Sequence, residues 1–224
     1  MTATQSQSVI DPFVSQAPPP RRFRLPENLE RAAGFVLLVL SSPVIAASAL
    51  IVAALSRRAA FVAHLRVGRD DRPFWMLKLR TMWGAEGDAQ RETGWVEYVV
   101  SEPTSDAKSP SDARVTSRFA AFCRRHSIDE LPQLWHVVRG DMSLVGPRPL
   151  TRSELIRYYG ARAAELLSVK PGLTGAWQVN GRSLVKFPER AAMDLEMVRT
   201  LNARRYLALL LRTCSAMVSG DGAW

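Results

Sequence analysis

The sequence predicts an α-rich α/β protein in which a re-entrant membrane helix hairpin precedes a small cytoplasmic domain with short strands. One segment of 24 uncharged residues, Ala32 to Leu55, stands out in a chain of 224. A straight helix of that length would measure roughly 36 Å, more than the ~30 Å hydrocarbon core of a bilayer. The rest of the chain is polar and long enough for one domain with its own core. We therefore divide the chain into an N-terminal tail at 1–28, the membrane hairpin at 29–56 and the cytoplasmic domain at 57–224.

Residues 1–28 predict a disordered tail. The segment is rich in Ser, Gln and Pro, including Pro18-Pro19-Pro20, and shows no apolar period. Such a composition cannot bury enough apolar surface to offset the entropy of ordering.

Basic residues on both sides of the apolar segment predict that it enters and leaves the membrane on the same face. The positive-inside rule places both flanks in the cytoplasm, which one span cannot satisfy. Pro43 removes a backbone donor at the middle of the segment, where serine hydroxyls can cover the freed carbonyls. We predict a break at Ser42 and Pro43. The flanking residues are Arg21, Arg22, Arg24 and Arg31 before the segment and Arg57, Arg58, Arg66 and Arg69 after it.

The formal net charge of +9 is carried mainly by arginine, since only four of the thirty basic residues are lysine. This balance suits an anionic partner such as nucleic acid, lipid headgroups or a phosphorylated substrate. The two cysteines, Cys123 and Cys214, show no metal-type spacing, and we interpret them as reduced thiols.

Periodicity and turn residues predict mostly helices after the hairpin, with few strands. The expected elements are a strand or an interfacial segment at Phe74–Thr81, a loop at 84–111, helices at 116–125, 127–139 and 152–167, a hairpin turn at Asn180-Gly181 and a long helix at 188–217. The last helix could cover the core or lie on a membrane surface, and its sequence leaves both open.

Asp129 and Glu130 stand side by side in the stretch S-I-D-E-L-P. Ser127 and Glu130 have the capping-box spacing, so the pair could simply begin a helix. A helix N-terminus also attracts anions and keeps nearby carboxylates ionised, so a role in catalysis is the competing interpretation.

Several cations are placed near rigid turns. Arg148 lies between two prolines in G-P-R-P, Arg182 follows the Asn180-Gly181 turn, and Lys78 and Arg80 share the predicted strand. A charge on a stiff turn loses less conformational freedom when it binds an anion. Together with two carboxylates able to hold a hard cation, these residues suggest phosphoryl transfer.

Four motifs resemble the bacterial sugar transferase family of monotopic polyprenyl-phosphate phosphoglycosyl transferases. They are the run S-I-D-E-L-P-Q-L-W-H-V-V-R-G-D-M-S-L-V-G-P-R-P, K-L-R-T-M at 78 to 82, P-G-L-T-G-A-W-Q-V-N-G-R at 171 to 182 and R-V-G-R at 66 to 69. The ending S-G-D-G-A-W further resembles members that initiate exopolysaccharide repeat units.

The resemblance implies transfer of a sugar 1-phosphate from a UDP-sugar to undecaprenyl phosphate, with release of UMP. Asp129 would form an aspartyl-phosphosugar intermediate, and Glu130 with Asp129 would hold Mg²⁺, or Mn²⁺ in its place. Phosphate binding would fall to Lys78, Arg80, Arg124, Arg148 and Arg182. The implied location is the cytoplasmic face of the bacterial plasma membrane, with membrane lipids but no nucleic acid as partners, and a homodimer is left open.

Two departures from the family pattern are Gly34, near the place where members commonly carry aspartate, and His136, where asparagine is frequent. The alternative function is a membrane-anchored anion-binding protein in which Asp129 and Glu130 only cap a helix.

Overall fold

The structure, a computed structural model, describes residues 23–83, 94–100, 115 and 117–220. The predicted tail falls largely outside these residues, as do parts of the predicted loop at 84–111. The helices are α1 (Glu27–Ser56), α2 (Arg118–Arg125), α3 (Leu134–Arg139), α4 (Arg152–Tyr159), α5 (Ala163–Leu167), α6 (Ala176–Val179), α7 (Phe187–Thr200) and α8 (Ala203–Ser219). The strands are β1 (Phe61–Val67), β2 (Pro73–Leu79), β3 (Val96–Val99), β4 (Ser143–Val145) and β5 (Gly172–Thr174).

The long apolar segment forms one helix, so its predicted division into two arms at Ser42 and Pro43 is not confirmed. Pro43 lies inside α1. It cannot donate a hydrogen bond to the carbonyl of Val39, four residues earlier. The Ser42 hydroxyl donates to that carbonyl instead, at 2.8 Å. This contact compensates locally for the proline, as the sequence predicted, and the helix continues through it.

One face of α1 packs against the domain in the first part and in the last part of the helix. Glu30, Gly34, Ser48, Ala49 and Val52 are buried, and they recur at helical spacing. The opposite face is exposed and apolar. Its large exposed side chains are Leu29, Phe35, Val36, Leu37, Val39, Leu40, Val44, Leu50, Ile51 and Leu55.

Of the described residues, only α1 forms a helix long and apolar enough to cross a membrane. Its most apolar stretch has a mean hydropathy of 2.5, and 17 % of that stretch is buried. The core helix of a soluble protein would be mostly buried.

The described part of the domain contains two small sheets. The larger sheet has the order β2-β1-β3, with β2 antiparallel and β3 parallel to β1. Strand β2 confirms the strand predicted at Phe74–Thr81, whereas β3 lies within the stretch predicted as a loop. In the smaller sheet β4 and β5 pair in parallel.

Three other predicted elements differ from the structure. Asn180-Gly181 joins α6 to a 3-10 helix, Arg182–Leu184, so the predicted hairpin turn is wrong. The helix predicted at 188–217 is two helices, because Leu201 is extended and the Asn202 side chain caps α8. Gly160, at φ +48°, interrupts the helix predicted at 152–167.

The core lies between α1, the two sheets and the C-terminal helices. One cluster joins α3, β4 and α8 through Val137, Met142, Leu144 and Leu209. A second joins α4, α5 and α7 through Leu155, Tyr159, Leu166 and Leu195. On α8, Leu207, Leu211 and Val218 point to solvent, so this helix covers the core with one face and exposes apolar side chains on another.

Gly34 lets α1 approach α3 closely. A Cβ at Gly34 would lie 2.8 Å from Cγ1 of Val137, which is 0 % exposed. A β-branched side chain in a helix has few alternative rotamers, so Val137 cannot easily move aside. The approach therefore depends on glycine at this position.

We expect Gly34→Ala to lower the melting temperature of the detergent-solubilised protein, because overpacking costs about 1–3 kcal/mol and exceeds the gain in helix propensity. In a Val137→Ala background the same substitution should cost less, since Cγ1 at 2.8 Å is gone and only the Cβ of residue 137, at 3.1 Å, remains close. Equal effects in both backgrounds, measured as a double-mutant cycle by thermal unfolding, would contradict the contact.

Candidate active site

Asp129 and Glu130 lie on a 3-10 helix, Ile128–Gln133, here called the acidic turn. The capping box predicted for Ser127 and Glu130 is wrong. Ser127 has a left-handed backbone, φ 55°, and its side chain does not cap the turn. The capping box occurs instead at Thr151 and Glu154, on α4. The carboxylate of Glu130 is therefore available for contacts with other elements.

Lys78 and Glu130 form a short ion pair between strand β2 and the acidic turn. Lys78 Nζ lies 2.6 Å from Glu130 Oε1, and Arg148 Nη1 lies 3.4 Å from the same oxygen. Burial lowers the pKa of Lys78, whereas the charge of Glu130 raises it. Three of the residues proposed from sequence thus meet at one carboxylate oxygen.

Asp129 lies next to the same cluster and is only 8 % exposed. Its negative charge helps to raise the pKa of Lys78 and also that of Cys123. Burial is the main cause that raises the Cys123 pKa to about 11, and a hydrogen bond with Ser48 partly opposes it. Cys123 is therefore a neutral thiol beside Asp129, and Ser48 connects this position to α1.

Arg148 is held on a rigid backbone. Strands β4 and β5 approach so closely that a Cβ at Gly172 would lie 2.0 Å from the backbone nitrogen of Gly146, so only glycine fits. The Gly172 N–H donates to the carbonyl of Pro147 at 2.8 Å. The guanidinium of Arg148 lies 5.7 Å from the ring centroid of Trp177, which supports it from one side.

Two predicted phosphate-binding arginines make contacts elsewhere. Arg80 is buried; its Nε donates to the Ala59 carbonyl at 2.7 Å and its Nη2 pairs with Glu97. These contacts tie the end of β2 to β3 and to the chain after α1. The structure does not bring the Arg80 guanidinium to Glu130 by any hydrogen bond within the described residues.

Arg182 joins the start of the acidic turn to the end of α8. Its guanidinium donates to the carbonyls of Arg125 at 3.3 Å and Ala216 at 3.2 Å, and to the Ser127 hydroxyl. His126 Nδ1 donates to the carbonyl of Met217 at 2.8 Å. The α8 C-terminus therefore fixes the backbone that leads into Asp129.

Arg124 lies near the end of α2, where it is half-buried. Its carbonyl accepts a hydrogen bond from the Ser127 N–H at 3.2 Å, within the turn that precedes Asp129. Its predicted role in phosphate binding stays a prediction.

Strand β1 contributes two cluster residues that the sequence reasoning missed. Val62 pairs with Lys78, so His64 and Arg66 lie on the sheet face that carries Lys78. Burial lowers the pKa of His64 to about 4, with further lowering by nearby cations that include Arg66, Lys78 and Arg148. Alternation in F-V-A-H-L-R-V could have revealed the shared face, but not which strand lies beside it.

Arg66 is a half-buried cation beside Arg148. Burial lowers its pKa to about 10; the charge of Glu154 opposes this effect, and the charge of Arg148 adds to it. Its guanidinium donates at 3.2 Å to the carbonyl of its neighbour, Leu65. A cation in this position gains most from an incoming anion, because burial has already removed much of its hydration.

A divalent cation would find two adjacent carboxylates here and no larger protein cage. No group of three or more His, Cys, Asp or Glu side chains in the described ranges could hold a metal ion. Mg²⁺ usually keeps several waters and binds through one or two carboxylates together with substrate phosphates. The donor set of Asp129 and Glu130 fits that mode of binding.

The sequence matches the family described as "Bacterial sugar transferase" over residues 24–220. The chain belongs to the bacterial sugar transferase family. It is 42 % identical over 162 residues to a "UDP-galactose-lipid carrier transferase" of Erwinia amylovora, covering 72 % of this chain and 34 % of that protein. This family membership confirms the resemblance seen in the sequence.

Two further relatives are matched over a larger share of their own length. The exopolysaccharide production protein ExoY of Rhizobium meliloti is 34 % identical over 193 residues, 86 % of this chain and 84 % of ExoY. A "UDP-glucose:undecaprenyl-phosphate glucose-1-phosphate transferase" of Caulobacter vibrioides is 36 % identical over 204 residues, 88 % of this chain and 70 % of the relative. By contrast, the chain spans about a third of the Erwinia protein and of relatives from Haemophilus influenzae and Salmonella typhimurium.

Behind Arg148 lies a buried carboxylate, Asp194 on α7, which is 1 % exposed. The Tyr159 hydroxyl donates to its Oδ2 at 3.1 Å. Burial raises the pKa of Asp194 to about 7, against opposing effects of Tyr159, Trp177 and the Arg148 charge. Folding therefore favours the protonated form of this acid.

We expect Asp194 to weaken the fold as pH rises from about 4 to about 7, because its folded pKa lies above the ordinary value of an aspartate. In Asp194→Asn the side chain stays neutral at every pH. The melting temperature of this variant, relative to wild type, should rise across that pH range. A pH-independent difference would contradict the raised pKa.

Proposed function

We propose that this protein transfers a sugar 1-phosphate from a UDP-sugar to undecaprenyl phosphate and so initiates assembly of an exopolysaccharide or related glycan. The observation that carries the proposal is the meeting of Asp129, Glu130, Lys78 and Arg148 in one partly buried cluster, in a chain of the bacterial sugar transferase family. Relatives are named as UDP-glucose and galactose phosphotransferases that act with undecaprenyl phosphate.

In the first step a carboxylate oxygen of Asp129 attacks the phosphorus nearest the sugar. The bond between this phosphorus and the oxygen that bridges the two phosphates breaks, and UMP leaves with that bonding electron pair. The product is an aspartyl-phosphosugar. Carboxylates act as covalent nucleophiles toward phosphorus in other enzymes, and the covalent step divides a difficult transfer into two easier ones.

In the second step a phosphate oxygen of undecaprenyl phosphate attacks the same phosphorus. The acyl-phosphate bond breaks, the carboxylate of Asp129 is regenerated, and the sugar remains on a lipid diphosphate. The soluble donor and the lipid acceptor therefore react at the same site one after the other, so they need not bind together.

The cations of the cluster would reduce the repulsion between Asp129 and an anionic donor. Lys78 and Arg148 already face Glu130 at 2.6 and 3.4 Å, and Arg66 lies near Arg148. Charge stabilisation by prepositioned donors is the main contribution of proteins to phosphoryl transfer. Arg124 and Arg182 would extend this set, Arg182 also by holding the turn that carries the nucleophile.

Glu130 and Asp129 would hold Mg²⁺, or Mn²⁺, together with phosphate oxygens of the donor. The bound ion would supply positive charge to the transferring phosphoryl group. The side chains of the cluster perform the remaining tasks, namely attack, charge pairing and orientation.

The exposed apolar face of α1 supports a membrane location, with membrane lipids as contacts. A bend of α1 at Pro43 within the bilayer would place both ends of the helix on the cytoplasmic face of the plasma membrane, as the basic flanks require. There the cluster would meet both the cytosolic donor and the headgroup of the lipid acceptor. We propose this topology and leave a homodimer open.

Asp129→Asn should abolish UMP release when detergent-solubilised protein is incubated with undecaprenyl phosphate, Mg²⁺ and a panel of UDP-sugars. An amide cannot form the acyl phosphate, so the loss should exceed about 10³-fold, the scale of a lost nucleophile. Glu189→Gln, at an exposed glutamate on α7, serves as the matched control and should keep wild-type turnover.

Trapping of the aspartyl-phosphosugar distinguishes the covalent mechanism from direct transfer to the acceptor. With radiolabelled sugar donor and no acceptor, wild type and Glu189→Gln should retain acid-stable, hydroxylamine-labile label, and Asp129→Asn should retain none. Full turnover in Asp129→Asn would refute the proposed nucleophile. Absence of turnover by wild type with every sugar would favour the membrane-anchored anion-binding alternative.

Cysteine labelling tests the topology. In a Cys214→Ser background, which leaves only the buried Cys123, single cysteines at the exposed positions Asn28 and Arg57 flank α1. A membrane-impermeant maleimide should label neither in spheroplasts and both in inverted vesicles. Labelling of one site from each side would show that α1 spans the membrane.

A further inference from the structure

His136 connects the two elements that carry Lys78 and Glu130. It lies on α3, directly after the acidic turn, and is 4 % exposed. Its Nε2 lies 3.1 Å from the backbone nitrogen of Leu77, the residue before Lys78. This hydrogen bond joins positions 59 residues apart in the sequence.

The bond occurs at an edge of the sheet that packs against the acidic turn and α3. Strand β2 is an edge strand in the order β2-β1-β3. Among the described residues no further strand pairs with its outward backbone N–H groups, and a buried N–H without an acceptor costs free energy. The imidazole of His136 supplies that acceptor for Leu77. It thereby limits movement of β2 at the position next to Lys78.

The tautomer of His136 is set by a second contact. Its Nδ1 lies 3.3 Å from Oδ2 of Asp141, which can only accept, so Nδ1 carries the proton and Nε2 accepts from Leu77. Burial lowers the pKa of His136; Asp141 opposes this effect, and Arg139 adds to it. Burial therefore favours the neutral imidazole, which is the form whose Nε2 can accept the Leu77 N–H.

The histidine itself is rigidly mounted. Its backbone carbonyl accepts hydrogen bonds from the N–H groups of Gly140, Asp141 and Met142, at 3.0, 2.9 and 3.1 Å. The Phe74 ring, also on β2, packs edge-on with a centroid distance of 5.4 Å. A side chain held this firmly can restrict the movement of strand β2.

We infer that His136 is a positioning residue that fixes Lys78 against Glu130 by accepting the Leu77 N–H. The inference rests on the proposed function for its catalytic consequence, but the hydrogen bond itself does not. Loss of this hydrogen bond leaves the ion pair without lateral support, so Lys78 samples positions from which it binds phosphate less well.

The experiment compares three variants of the full-length protein in detergent. His136→Phe keeps a ring but removes the acceptor, whereas His136→Gln places an amide oxygen at similar reach. Phe74→Leu is the control, because it removes the packing contact on His136 and keeps the hydrogen bond. Hydrogen exchange at the Leu77 amide, resolved by mass spectrometry with electron-transfer fragmentation, reports the bond directly.

Leu77 exchange should accelerate about tenfold in His136→Phe and stay near wild type in His136→Gln and Phe74→Leu. The affinity for inorganic pyrophosphate, measured by calorimetry, should fall several-fold in His136→Phe alone. In the transfer assay kcat should fall about tenfold in the same variant and recover in His136→Gln. A general structural defect would instead accelerate exchange across the whole domain and would not be rescued by glutamine.

Two results would overturn the inference. Unchanged Leu77 exchange in His136→Phe would show that the imidazole does not protect this amide. Faster exchange with unchanged pyrophosphate affinity would show that the bond exists but does not position Lys78. Failure of wild type to turn over any UDP-sugar would refute the proposed function alone, since exchange and pyrophosphate binding do not depend on transfer.

Discussion

The partly buried ion pair between Lys78 and Glu130 is the interaction on which the rest of the site depends. Removing two charges from water is costly, and the cost is recovered only if the partners meet in good geometry. Here they lie 2.6 Å apart, although one is on a strand and the other on a 3-10 helix. The antiparallel ladder with β1 and the rigid backbone of the acidic turn must therefore bring them together.

The C-terminus of α8 holds the acidic turn from the other side. The last carbonyls of a helix lack intrahelical donors and carry partial negative charge, so they attract cations. Arg182 donates to Ala216 and His126 donates to Met217 at this end. Ser127, which follows His126 and contacts Arg182, has a left-handed backbone with φ 55°. This conformation persists only where the surroundings enforce it. The position of Asp129 thus depends on contacts more than 80 residues distant in sequence.

Much of the fold and part of the site could be predicted from the sequence, and the failures have physical causes. The apolar period and the motif containing Asp129 and Glu130 identified α1 and the acidic turn. Ser127 looked like a cap, but its hydroxyl binds Arg182 instead, because tertiary partners compete with local ones. Arg80 binds Glu97 on β3, a strand that was not predicted because the surrounding sequence is polar. His64 and Arg66 could be assigned to the cluster only from strand order and register, and those depend on long-range pairing.

The same ion pair also suggests how the resting site is prepared for an anionic substrate. Lys78 and Arg148 both contact Oε1 of Glu130, so two cations share one carboxylate oxygen. In the proposed mechanism a diphosphate would bring further charged acceptors to these donors and would compete with Glu130 for them. As the cations turned to the phosphates, the Glu130 oxygen would become available to a divalent ion. Exchange of partners within a cluster that is already assembled needs little reorganisation, which is the condition under which prepositioned charges contribute most to phosphoryl transfer.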